Sequence, residues 1–431
     1  MSLPPDIPPS APDSPISTAA RLPLGVLLAP GRGWFRALRH KEFRIFWTGN
    51  FVSNIGSWMQ NVAQGWLVLA LTNSPFWLGV VGFAQQAPAL FFSLPGGIIA
   101  DRAGRRKLLM ATQTAMMLLA LLLAVLVSLQ WITVERIVVI AFFAGTTMAL
   151  NAPSYQAAIR DLVEQEDTLN AIALNSIQFN LSRVLGPSLA GLTIAGLSIE
   201  TCFYLNALSY VPLIYVLGRT RFPEREEREA NSWREDLAEG FRYVRTNRTI
   251  LLLIVIVAMV SMFGLPYIVM MPEFAKNVLH IGPKGLGYLM GAAGFGALLG
   301  GVHLASMKPH RRRGPLVLFS ATLFFTAILL FCLSRQPALS MFLLAVAGGA
   351  VVGSVATVNS LIQTLVPDEI RGRVLSMHTM AFLGFTPVGS LLIGSLAEFW
   401  GAPTALAASS GFALVLMAGI ALTARNVRKL Q

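Results

Sequence analysis

From Phe43 almost to its end the chain repeats one pattern: a long apolar run, then a short polar break. The runs lie at about 43–71, 76–100, 107–128, 134–157, 169–192, 199–218, 249–271, 285–305, 315–334, 338–363, 374–397 and 402–423. An α-helix needs about 20 apolar residues to cross roughly 30 Å of hydrocarbon. Helices are the only open element that lipid tolerates, because a helix satisfies its own backbone. The ten-residue alternation of a membrane barrel is absent. Composition agrees: 55% of the 431 residues are hydrophobic and 13% are charged, against about 25% charged in soluble domains. The expectation is an all-α membrane protein with twelve transmembrane helices.

The formal net charge of +12 raises the question of nucleic acid, and the placement of the charges answers it. Lys and Arg cluster in alternate breaks: 28 fall in one set (the N-terminal arm, the 2–3, 4–5, 6–7, 8–9 and 10–11 connections and the tail) and four in the other (Arg136, Lys276, Lys284, Arg335). The remaining basic residue, Arg183, lies inside a span. Under the positive-inside rule this asymmetry puts both termini on the cytoplasmic side of the cell (inner) membrane, and an even number of spans agrees. No nucleic-acid partner is expected. Cys202 and Cys332 have no CxxC or His companions, so neither a disulfide framework nor a metal site is expected.

Residues 1–42 begin with six prolines in the first 20 and read as a disordered tail followed by a basic interfacial segment, Arg32 to Arg44, with Trp34 and Phe35 interleaved. The longest polar break separates spans six and six. The expected organisation is therefore a first six-helix bundle over 43–220, a cytoplasmic central loop over 221–248, a second bundle over 249–424 and a tail over 425–431. A weak repeat relates the halves: Gly96-Gly97 with Arg105-Arg106-Lys107 matches Gly300-Gly301 with Arg311-Arg312-Arg313, and Ser176 and Pro187 recur as Ser376 and Pro387. Two parallel, pseudo-symmetric six-helix bundles are the plan of one large transporter class.

Between spans 2 and 3 the chain reads Gly97-Ile98-Ile99-Ala100-Asp101-Arg102-Ala103-Gly104-Arg105-Arg106-Lys107. This resembles the cytoplasmic-loop signature of the major facilitator superfamily. The resemblance implies that Asp101 and its arginines form a latch that closes the cytoplasmic side when the site faces outward. The counterpart is the start of span 11, Pro367 to Val374, with Arg373. Gly97, Asp101, Arg102, Gly104, Arg105, Arg106 and Arg373 are thus the candidate gating residues. Span 5 ends with Arg183-Val184-Leu185-Gly186-Pro187-Ser188-Leu189-Ala190-Gly191, which resembles the Gly-Pro pattern of span 5 in superfamily antiporters; Gly186, Pro187 and Gly191 carry it. Over about Phe43 to Arg425 the chain resembles the bacterial branch that includes the enterobactin exporter and related drug and siderophore effluxers.

In span 1, Asn50, Asn54, Ser57, Asn61 and Gln64 recur every three or four residues. On a helix they share an arc of roughly 80° and a length of about 21 Å. One reading makes Asn50, Asn54, Asn61 and Gln64 the wall of a water-filled substrate cavity; the other makes them interhelical hydrogen-bond partners. Arg183 belongs with the cavity, because an arginine at mid-membrane costs about 2.5 kcal/mol or more unless it faces water or a partner. No acid lies at its depth in any span. Glu135 is the nearest candidate partner by topology, an anionic substrate the alternative; a third reading makes Arg183 purely structural, hydrogen-bonded to backbone carbonyls. Met259, Met262, Met270 and Met271, with Phe263 and Tyr267, make span 7 an adaptable apolar wall or ordinary packing. The glycines of span 8, Gly291 to Gly301, follow no strand and precede no Lys-Ser/Thr, and read as close helix packing.

No HExxH, GxSxG or P-loop occurs, so the chain is not expected to be an enzyme, and it calls for no cofactor and no catalytic residue. The expected function is a secondary active, ion-gradient-driven exporter of amphiphilic small molecules such as drugs or siderophores, working as a monomer by rocker-switch alternating access. Proton antiport is implied by the family resemblance. The alternative is an importer of a small organic nutrient on the same fold.

Overall fold

The computed structural model describes residues 33, 35–92, 104–220, 233–307, 313–423, 426 and 430. Among them every regular element is a helix. A 3-10 turn, Arg36–Arg39, leads into α1 (Lys41–Thr72) and α2 (Pro75–Gln86), followed by α3 (Arg105–Ser128), α4 (Val134–Asp161), α5 (Thr168–Gly196) and α6 (Ile199–Arg219). A short helix in the central loop, α7 (Trp233–Thr246), precedes α8 (Arg248–Val278), α9 (Gly282–Ser306), α10 (Arg313–Leu333), α11 (Pro337–Leu365), α12 (Asp368–Trp400) and α13 (Ala402–Thr423).

Among the described residues nine helices, α3, α4, α6 and α8 to α13, are long and apolar enough to cross a membrane. α1 is long as well, at 32 residues, but polar residues interrupt its apolar pattern, as they do that of α5. The helices stop and start where local chemistry dictates. Asn73 takes the left-handed conformation at the end of α1 (φ 47°). Asn247 accepts from the backbone N–H of Thr249 and Ile250 at the start of α8, and Ser198 accepts from Thr201 N–H at the start of α6.

Helix α8 is not a uniform α-helix. It holds two π turns, Val260–Gly264 and Phe274–Val278. Pro266 and Pro272 lie close to these turns. A proline within a helix removes a backbone donor, and a π turn absorbs the resulting change of register.

Packing pairs the helices in two sets. α1 lies on α5 and α6, α3 on α4 and α6, and α2 on α4; in the second half α11 lies on α9 and α10, and α13 on α10 and α12. Between the sets the closest packing is α5 against α9 and α2 against α12. Both seams need glycine. A Cβ on Gly79 of α2 would stand 2.6 Å from the Ser390 carbonyl and 2.9 Å from the Cα of Gly394 on α12. A Cβ on Gly191 of α5 would stand 2.6 Å from the Pro283 carbonyl, and one on its neighbour Gly287 of α9 would stand 2.6 Å from the Pro187 carbonyl. Without side chains at these points the backbones touch, as small residues allow in membranes. Gly291 and Gly294 continue the α9 side of that seam against Ser188 and Arg183, the close packing expected of the span 8 glycines.

Candidate functional site

The polar face of α1 divides between two jobs. Asn50, 5% exposed, donates to the Tyr155 hydroxyl of α4 (2.6 Å), which in turn donates to Asn175 of α5. Ser57 shares a 2.9 Å hydrogen bond with Tyr210 of α6, and Gln60 accepts from Asn206 of α6 (2.6 Å). These are bonds between helices of the first half. Gln64 is buried at 4% exposure. Asn61 is exposed and accepts from Gln85 of α2 (3.0 Å), while Asn54 is half-buried. Asn54 and Asn61 are therefore the members of the stripe that stay accessible. Gln363 and Asn359 of α11 bond to each other, one turn apart.

Arg183 lies about 22 Å into α5 from Thr168, at 1.5 Å per residue. Its guanidinium stands over the Trp58 ring of α1, 5.9 Å from the centroid, within the range of cation–π attraction. From the other half, the Tyr267 hydroxyl of α8 faces the same guanidinium. Tyr267 is 1% exposed, and its hydroxyl has no hydrogen-bond partner of ordinary geometry among the described residues. Ile268 and Met271 of α8 and Met290 and Ala293 of α9 complete the walls of the chamber between them. The space is narrow, of the order of one water molecule. Among the described residues no carboxylate pairs with Arg183: the ion pairs join Arg36, His40, Arg105, Arg371 and Arg373 to other acids. Glu135, the partner topology suggested, stands at the start of α4 and interacts there with Thr133 and Arg136.

Of the candidate latch, Gly97, Asp101 and Arg102 lie outside the described residues. Gly104 precedes α3 with φ 77°. Arg105 pairs with Asp161 at the end of α4, and Arg106 donates to the carbonyls of Leu217 (3.0 Å) and Gly218, the last turn of α6. A cation at a helix C-terminus meets the negative end of its dipole. Arg373 at the start of α12 pairs with Glu239 of α7 at 2.5 Å, and Gly240 lets α7 sit directly on the Arg373 backbone. The N-terminal arm is also held. Arg36 pairs with Glu166 (2.9 Å) and Asp167 (2.5 Å), His40 with Asp167 (2.8 Å), and Ala37 N–H donates to Asn170.

Gly186 lies against α1, where a Cβ would meet that of Trp58 at 2.4 Å. Pro187 and Gly191 belong to the seam with α9 described above. The Gly-Pro run thus brings α5 onto α1 on one side and onto α9 on the other, with Arg183 between. Sequence reasoning passed over Trp58, whose only signal is its place one turn from Asn54 and Asn61. It also passed over Tyr155, Tyr210 and Asn206, polar residues on apolar spans whose α1 partners are more than 100 residues away in the chain.

The family model described as transmembrane secretion effector matches residues 32–431. The chain is 25% identical over 362 residues to the staphyloferrin A transporter of Staphylococcus aureus, covering 83% of this chain and 90% of that protein. It is likewise 25% identical over 383 residues to the enterobactin exporter EntS of Shigella boydii serotype 4, covering 88% of this chain and 90% of that one. Its fold is similar to the solved structure of the nucleoside transporter NupG, with a TM-score of 0.70 at 14% identity over 89% of this chain and 99% of that one. The helical framework, the glycine seams and the signature before α3 all fall inside the matched region, and the chain belongs to the transmembrane secretion effector family of major facilitator superfamily transporters, multi-pass membrane proteins.

Proposed function

We propose that this chain is a secondary active exporter of amphiphilic small molecules, drug-like or siderophore-like, built as twelve spans in two pseudo-symmetric six-helix bundles that rock about the seams α5–α9 and α2–α12. The observation that carries the reading is Arg183, a mid-membrane guanidinium set on Trp58, facing Tyr267 of the opposite half, and paired with no carboxylate among the described residues. Such a group favours a substrate with an anionic head and an aromatic or aliphatic body, because no carboxylate among the described residues compensates its charge and its neighbours are Met271, Met290 and Ile268. The export direction is supported by the exporter among the relatives. The chain is read as a monomer in the inner membrane, and the basic breaks support an orientation with both termini cytoplasmic. Proton antiport is the coupling expected from the superfamily resemblance.

The test is accumulation of anionic, neutral and cationic amphiphiles in cells carrying the wild-type chain, Arg183→Gln or neither. Export is expected to appear as depletion of an anionic compound that requires the wild-type chain and is lost in Arg183→Gln. Wild-type-dependent gain would make the chain an importer.

A further inference from the structure

We propose that Glu398 and Lys276 form an outer latch: from the second half of the chain they cap both helix ends at the turn between α1 and α2, and so hold the outer face of the transporter closed. The word outer rests on the orientation proposed above; the latch itself rests on contacts. α1 ends with carbonyls that have no partner within the helix, and α2 begins with N–H groups in the same position. Ser74, the residue before α2, makes no side-chain cap to its own helix. Glu398 of α12 takes that place. Its carboxylate accepts from the Ser74 hydroxyl (2.7 Å) and from the backbone N–H of Phe76 (3.3 Å). Lys276 of α8 does the converse at the other helix end, donating to the Leu69 carbonyl (3.3 Å) and to the Asn73 side chain (3.0 Å). An acid stands at a helix N-terminus and a base at a helix C-terminus, the favourable sign in both cases.

Two further observations make this a gate. Glu398 and Lys276 lie more than 200 residues from the groups they cap, so the contacts tie the two halves together. Beneath them the halves approach closely at glycine, Gly79 against the backbone of Gly394 and Gly65 against the ring of Pro272. Lys276 sits in the π turn Phe274–Val278, the irregular stretch that sets its direction on α8. Glu273, one turn earlier, interacts with both Lys276 and Glu398 and accepts from Asn277, which completes the charged cluster around the α1–α2 turn.

The test is thiol labelling of the full chain in right-side-out and inside-out membrane vesicles without substrate, on a background carrying Ser390→Cys. Ser390 is fully buried under the Gly79 seam. Glu398→Gln and Lys276→Gln are each expected to raise labelling of that position by a membrane-impermeant maleimide about fivefold or more in right-side-out vesicles. Cys202 and Cys332, buried within their own halves, stay unlabelled if the seam opens and become labelled if the chain unfolds. Ser74→Ala, a milder change that removes one of the two groups Glu398 holds, is expected to act in the same direction by about twofold. Labelling unchanged in both vesicle orientations for all three variants, or rising only together with Cys202 and Cys332, would overturn the latch. A rise confined to inside-out vesicles would keep the latch and overturn the orientation.

Discussion

At Arg183 the charge and the aromatic platform have separable effects. A charge-assisted hydrogen bond is worth about 1.5–3 kcal/mol, so Arg183→Gln is expected to lower the initial rate for an anionic substrate by about 10- to 100-fold while changing a neutral one by about twofold at most. Arg183→Lys keeps the charge and loses the planar face that stacks on Trp58, and is expected to fall between. Uptake rates into inverted vesicles for a matched anionic and neutral pair check this; equal losses for both compounds would remove the charge from the account. The Asn50–Tyr155–Asn175 chain predicts the opposite pattern. Tyr155→Phe breaks two interhelical hydrogen bonds at about 0.6 kcal/mol each. It should lower the thermal midpoint in detergent by a few degrees and leave transport near wild type. If instead transport collapses at unchanged midpoint, Asn50 belongs to the substrate path. The polar stripe of α1 was visible in the sequence from its spacing alone, but its division between helix packing and an accessible face was not. That division depends on which residue of a distant helix happens to stand opposite each position.

At the scale of elements, the two seams are the parts least tolerant of added volume. Overpacking costs about 1–3 kcal/mol, and at Gly79 the obstacles to a new methyl are backbone atoms of α12 at 2.6 and 2.9 Å, which cannot rotate away. Gly79→Ala is therefore expected to favour the state in which α2 and α12 separate, by about fivefold or more. Gly301→Ala, whose methyl would meet only a Val352 methyl at 4.0 Å, should be silent. Thiol labelling of Ser390→Cys in both backgrounds checks the pair. Most spans were legible because a helix in lipid must be apolar along its length. α1 and α5 departed from that rule because they face the interior, and the polar residues that weaken their apolar pattern are the ones that bear on function. The π turns of α8 were not foreseen, although Pro266 and Pro272 were in view. Proline announces a lost hydrogen bond, and the neighbouring packing decides how the helix absorbs it. The glycines of span 8 were legible as packing residues; their partners were not, since nothing local says that Gly291 and Gly294 meet α5 while Gly296 and Gly300 meet α11.

For the whole molecule the outer latch and the signature before α3 act on one equilibrium from opposite ends. Asp101 is expected, from the superfamily resemblance, to hold the cytoplasmic side closed when the site faces outward. In the proposed latch, Glu398 and Lys276 hold the side of the α1–α2 turn closed through their contacts with Ser74 and Leu69. Alternating access requires that neither closure win by much, because a transporter locked in either state moves nothing. If each latch contributes about 1 kcal/mol, removing one shifts the ratio of states about fivefold. Asp101→Asn should then lower transport and reduce Ser390→Cys labelling from outside, with insertion into the membrane intact, while Glu398→Gln should lower transport and raise labelling. The sequence topology expects Asp101 and Glu398 at opposite ends of their spans, and effects of well-separated groups add. The Asp101→Asn, Glu398→Gln double variant is therefore expected to recover both labelling and transport to within about twofold of wild type. Two latches acting on separate steps would give a double variant slower than either single one, and that outcome would replace the shared equilibrium with two independent gates.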